Sequence, residues 1–210
     1  MIVALVLVTF GMKPKVGAGW SPPFIFTLEL IDTALVVGLV LFFLHAHRET
    51  AGEALFASRR PVRDAAIGLA LVPASLAVVI GVLLIVQLTI PSLRNVPHNP
   101  LQDLAQTRGN ALMLALVVMV AGGVREEVQR GFALRRFERY LGGGAVGLVI
   151  FSAAFGLGHI DQGHDVVIAT AILGAFWGAI YLRRRSIVAP MIGHAGFNLV
   201  QVIKFVLVGA

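Results

Sequence analysis

"ALMLALVVMVAGGVREEVQRGFALRRFERY", residues 111–140, opens as a run suited to hydrocarbon and closes with two adjacent glutamates and five arginines. A helix that stops at the glycines would leave those charges in water. One that continues to Leu141, where "GGG" ends it, carries Glu126 and Glu127 into the membrane, because ten or more further residues at about 1.5 Å each separate them from the end. The second reading decides the fold, since carboxylates at that depth cost several kcal/mol and mark function by default.

The rest of the 210-residue chain supports a membrane setting. It is 58% hydrophobic and 13% charged with a mean hydropathy of +0.88, whereas soluble domains carry about 25% charged residues. Several stretches reach the roughly 20 apolar residues that a spanning helix needs, and no alternating ten-residue pattern suggests a barrel. The sequence therefore predicts one all-α domain, residues 1–210, a polytopic transmembrane helical bundle of about six spans. Their expected bounds are 23–45, 64–90, 110–141, 145–159, 165–182 and 188–208. Pro73 should kink the second span. The linker 46–63 should carry a short surface helix. The apolar N-terminal stretch is too short to cross and lacks a basic region before it, so it reads as an interfacial segment or as the remnant of an incomplete seventh span, not as a cleaved signal.

The formal charge of +6 would suggest nucleic acid in a soluble protein, but here the basic residues sit at span ends, which is topology. Loops 46–63, 135–142 and 183–186 collect "RR", "RRFER" and "RRR" and belong in the cytoplasm. Loops 91–109 and 160–164 then face outward, as do both termini with six spans. There is no cysteine, so any metal must use His, Asp or Glu.

Three polar constellations interrupt the apolar helices. Glu126 and Glu127 stand at i,i+4 and i,i+3 from Arg130, so one arginine can hold either carboxylate, and a held carboxylate in a dry site is a candidate general base. His159 ends the helix of "FGLGH"; its neighbours Asp161, His164 and Asp165 read more simply as solvated loop. In "HAGFN" His194 and Asn198 share one face, four residues apart. "GAFWG", with Gly174 and Gly178, reads as close helix packing, and "RRR" at 183–185 as a topological anchor. A carboxylate, two histidines and an amide from three helices are what metal-assisted hydrolysis needs: nitrogen ligands for a zinc-like ion, a glutamate to take a proton from water, and a donor for the carbonyl.

The ordered trio "EEVQR" at 126–130, "FGLGH" at 155–159 and "HAGFN" at 194–198 resembles the CPBP group of intramembrane proteases, which includes the CAAX prenyl endopeptidases and bacterial Abi proteins implicated in bacteriocin immunity. The resemblance covers residues 110–202, the expected catalytic core. It implies an intramembrane endopeptidase in which Glu126 or Glu127 activates water, Arg130 orients the carboxylate, His159 and His194 bind a metal (zinc or another divalent ion) or the water itself, and Asn198 helps hold the oxyanion. Glu126 is favoured as the base for its i,i+4 relation to Arg130, with Glu127 as the alternate. One departure stands out: the family has three residues between the glutamate pair and the arginine, and this chain has two, Val128 and Gln129.

The expected substrate is a membrane-associated peptide or protein, the other partner is the lipid bilayer, and no nucleic acid is involved. The expected location is a bacterial or archaeal plasma membrane, crossed several times. The competing readings are a non-catalytic binding partner that keeps the fold, as an immunity factor or scaffold, and a small proton-coupled transporter. Against the transporter stands the lack of repeated halves or paired broken helices.

Overall fold

A computed structural model describes residues 2–17, 19–58 and 60–208. Helix α1 (Ile2–Thr9) and a two-stranded hairpin, β1 (Lys15–Val16) and β2 (Gly19–Trp20), precede α2 (Pro22–Ala46). Then follow α3 (Ala51–Leu55), α4 (Pro61–Thr89), α5 (Arg108–Val117), a π-helical segment (Val118–Glu126), α6 (Glu127–Tyr140), α7 (Gly144–Leu157), α8 (His164–Arg184) and α9 (Val188–Val208). Among the described residues α2, α4, α8 and α9 are four helices long and apolar enough to cross a bilayer, and α7 is a shorter apolar helix. At 14 residues α7 is about 21 Å long, well under the hydrocarbon thickness. The rod of α5, π segment and α6 is continuous from 108 to 140, apolar in its first half and charged from Arg125 onward. The chain is thus an all-α, multi-pass membrane protein. Helix α1, at eight residues, is too short to span.

Local signals account for the boundaries. Pro22 and Pro61 occupy first-turn positions, where a missing N–H costs nothing. Thr50 and Glu53 form a reciprocal capping box that starts α3, the expected surface helix. Helix α4 runs on through Pro73. The "GGG" stop works because Gly142 and Gly143 adopt φ of +95° and +98°, which other residues resist.

The outside is apolar: Leu69, Leu112 and Val149 are each at least 67% exposed, as expected of side chains that face lipid. Helix α9 packs against α4 and the π segment, and α7 against α8. Small residues bring the backbones close. A Cβ at Gly193 would lie 2.8 Å from Leu71 and one at Gly178 2.5 Å from Leu148, so the "GAFWG" glycines do serve packing.

The bundle has two differently built ends. At one, Glu49 takes ion pairs of 2.8 Å from Arg135, Arg136 and Arg139, and Arg184 Nε donates to the buried Asp64 at 2.7 Å. Burial would raise the Glu49 pKa, but the three guanidiniums outweigh it and hold the carboxyl below its ordinary range. At the other end, Asn99 donates to Gln162 at 3.2 Å and the His164 amide donates to Asn95 at 2.8 Å, tying two loops together.

Candidate active site

The π segment supplies the first half of the site. Its i→i+5 pattern is rare, especially over nine residues, and such widened turns occur where function requires them. Gly122 and Gly123 let α9 approach it: a Cβ at Gly122 would meet Asn198 Nδ2 at 2.2 Å, and one at Gly123 would meet Ala195 Cβ at 2.7 Å. In the space so made, the Asn198 amide donates to the Val118 carbonyl at 3.3 Å.

Where the widened turn ends, the two glutamates diverge. Glu127 is fully buried and ion-paired with the equally buried Arg130. Its Oε1 also accepts from His194 Nδ1 at 2.8 Å. Glu126 turns toward a cavity, with Oε2 3.6 Å from His194 Nε2 and Oε1 accepting from Arg125 at 3.2 Å. Of the two carboxylates within the expected reach of Arg130, it pairs with Glu127 and not with the i,i+4 neighbour Glu126. Glu126 is the last residue of the π segment, so the α-helical neighbour relation runs from Glu127 onward and gives Arg130 to Glu127.

Aromatic rings close this buried arrangement. The Arg130 guanidinium lies 4.6 Å from the Phe155 ring centre, 5.6 Å from Trp177 and 5.7 Å from Phe151. Ring faces offset some of the cost of a buried cation whose Nε and Nη2 lack hydrogen-bond partners. Trp177 stacks on His194 with centroids 3.8 Å apart and is itself fixed by a 3.1 Å bond from Nε1 to Ser75 Oγ. His194 is therefore set by a carboxylate at one nitrogen and an indole on its face.

A cavity of about 710 Å³ reaches this centre, lined by Glu126, His159, His194 and Asn198 together with Phe155 and Trp177. His159 joins from the end of α7, with Nδ1 donating to the Phe155 carbonyl at 2.9 Å, which leaves Nε2 as an acceptor. The structure brings Glu126, Glu127, Arg130, His159, His194 and Asn198 together as one cluster. Among the described residues, however, no three His, Asp or Glu side chains converge closely enough to hold a metal ion. His194 Nδ1 is already occupied by Glu127. The expected pair of His159 and His194 does not, in this arrangement, make a metal centre with a glutamate.

Four participants escaped the sequence reading: Glu29, Asp32, Trp177 and Ser75. Arg125 donates to Glu29 at 2.8 Å and lies 3.3 Å from Asp32, so α2 neutralises the guanidinium that holds Glu126. The signal was present in "LELID", two acids three apart in an otherwise apolar helix. Trp177 was read only as part of a packing motif, and Ser75 carried no signal.

Residues 108–200 match a family model described as Type II CAAX prenyl endopeptidase Rce1-like. No curated protein and no solved structure matches the chain. The matched segment runs from the start of α5 into α9 and contains every clustered motif residue. Over residues 108–200, then, this membrane-embedded chain is similar to the Rce1-like type II CAAX prenyl endopeptidases.

Proposed function

We propose that the protein is an intramembrane endopeptidase that hydrolyses a peptide bond of a membrane-associated substrate, with Glu126 as the general base. The observation that carries this reading is the division of labour between the glutamates: Glu127 is consumed by Arg130 and His194, while Glu126 faces the cavity. The 3.6 Å between Glu126 Oε2 and His194 Nε2 is too long for a direct hydrogen bond and suits two groups that share one water. With Nδ1–H committed to Glu127, His194 presents Nε2 as an acceptor to that water.

In the proposed reaction Glu126 takes one water proton while the water oxygen bonds to the scissile carbonyl carbon. The oxyanion so formed accepts from the second N–H of Asn198, whose first is fixed on Val118. Glu126 then returns its proton to the amide nitrogen as the C–N bond breaks, giving a carboxylic acid and an amine. Arg130 and Glu127 act through His194 as positioning residues. The donor set does not fit a tightly held ion as arranged, so no step is routed through one.

The test is cleavage of a library of membrane-anchored peptides by the reconstituted protein. Glu126→Gln should abolish turnover with unchanged thermal stability. Glu127→Gln should lower both, because it leaves Arg130 buried without its partner, a loss of about 3–5 kcal/mol. Full activity in Glu126→Gln would sink the assignment. Peptide capture by the wild type without any cleavage would favour the binding-partner reading instead.

A further inference from the structure

We infer that the cavity opens on the face of the membrane opposite the cytoplasm, so that its substrate is a peptide anchored in or emerging at that outer face. The inference rests on the endopeptidase reading for the word substrate and on structure for the direction. One end of the bundle is sealed. There the Ala57 amide donates to the Arg185 carbonyl at 3.0 Å and the Ile187 amide to the Leu55 carbonyl at 2.8 Å, closing the α3 and α8–α9 segments on each other. Beneath them Leu44, Leu55, Leu134 and Ile187 are at most 1% exposed and form a plug between that end and the glutamates.

The cavity leads the other way. Beyond the motif residues its walls are Leu83, Leu114 and Phe205, and its rim is Arg94, Asn99, Gln102 and Gln162, in the loops tied together at the opposite end. A volume of about 710 Å³ lies in the range of sites that enclose a ligand. An apolar throat with a polar rim suits a peptide whose anchor stays in lipid while its scissile segment enters from water.

Which face each end occupies follows from the arginines. Among the described residues Arg60, Arg63, "RRFER" at 135–139 and "RRR" at 183–185 lie at the sealed end, against Lys13, Lys15, Arg94, Arg108 and Lys204 near the open one. Orientation follows the Lys and Arg bias rather than net charge, so the ion pairs to Glu49, Asp64 and Glu138 do not cancel it. The sealed end is cytoplasmic and the rim faces outward. A substrate displayed only on the cytoplasmic leaflet would meet the plug.

The absence of cysteine makes the test direct. Single-cysteine variants Ser92→Cys at the open end, Thr170→Cys in the cavity wall and Ala57→Cys at the sealed end are produced in a bacterial inner membrane. Each is treated in intact cells with a small membrane-impermeant thiosulfonate. Ser92→Cys and Thr170→Cys should react in intact cells and Ala57→Cys only after lysis, with Gln102→Cys repeating the cavity measurement at the rim. Reaction at Ala57→Cys with protection at Ser92→Cys would reverse the orientation. Reaction at Ser92→Cys with protection at both Thr170→Cys and Gln102→Cys would refute outward access. No peptide cleavage enters the measurement, so its failure is distinct from failure of the protease reading.

Discussion

Gly122→Ala tests the site's construction with a single methyl group. The new Cβ would lie 2.2 Å from Asn198 Nδ2 and 3.5 Å from His194 Nε2. The first distance is more than 1 Å short of ordinary van der Waals contact, so Asn198 must swing away or α9 must retreat by about that much. Either movement breaks the 3.3 Å bond to Val118 and shifts the amide proposed to hold the oxyanion. Overpacking of this kind costs about 1–3 kcal/mol of stability, and a misplacement of about 1 Å near reacting atoms costs about 100-fold in rate. Gly81→Ala is the control: it lies inside α4 with nothing within 4 Å, and should be neutral or gain up to about 1 kcal/mol from helix propensity. Thermal unfolding in detergent and kcat on a cleaved peptide read the two effects separately. A Gly122→Ala protein with wild-type kcat and unfolding midpoint would refute the claim that this glycine makes room for the site.

Other consequences follow from the same contacts. Trp177→Phe should lower stability by about 1–3 kcal/mol, since it removes the donor to buried Ser75, and should loosen His194; an unchanged midpoint would mean the indole bond contributes nothing. Because the arginines hold Glu49 below its ordinary carboxyl value of 4.5, its contribution is present above that pH and is lost as the pH falls through the lower folded value. The difference in unfolding midpoint between wild type and Glu49→Gln should therefore shrink below about pH 4.5, and a constant difference down to pH 3 would contradict this. Glu29→Gln should slow peptide cleavage by changing how Arg125 holds Glu126, and Arg125→Lys should slow it too, because one ammonium cannot span Glu29 and Glu126 as the two guanidinium nitrogens do; wild-type kcat in both variants would refute the link.

The sequence made the helices legible because apolar runs, prolines at helix starts and the "GGG" stop are local signals. The three motifs were equally visible, since an ionisable residue in an apolar helix needs a reason. The π segment was not: nothing in "VMVAGGVRE" distinguishes it from α-helix, and the widened turn lies where Asn198 and Ala195 of α9 meet Gly122 and Gly123, a contact between distant parts of the chain. The same long-range contact decided which glutamate Arg130 would take. An α-helical spacing rule applied across 126–130 favoured Glu126, and it failed because the regular helix begins only at Glu127.

The shortened spacing between the glutamate pair and the arginine can now be given a physical account. At about 100° per residue, a partner at i+3 lies some 60° to one side of the starting residue, and one at i+4 some 40° to the other. Both fall on one face, so dropping a residue leaves Arg130 within reach of Glu127. The rod is pinned on both sides of this pair. Upstream, Gly122 and Gly123 fix its approach to α9; downstream, a Cβ at Gly131 would lie 2.8 Å from Ile187 and 3.1 Å from Leu55. An alanine inserted after Val128 would restore the three-residue spacing but rotate one pinned face by about 100° relative to the other. It should therefore lower both peptide cleavage and the unfolding midpoint, by more than the Gly122→Ala change, even though the local motif would look more regular. An insertion variant with wild-type activity would mean that the motif's spacing, and not the packing at its two ends, sets the geometry of the site.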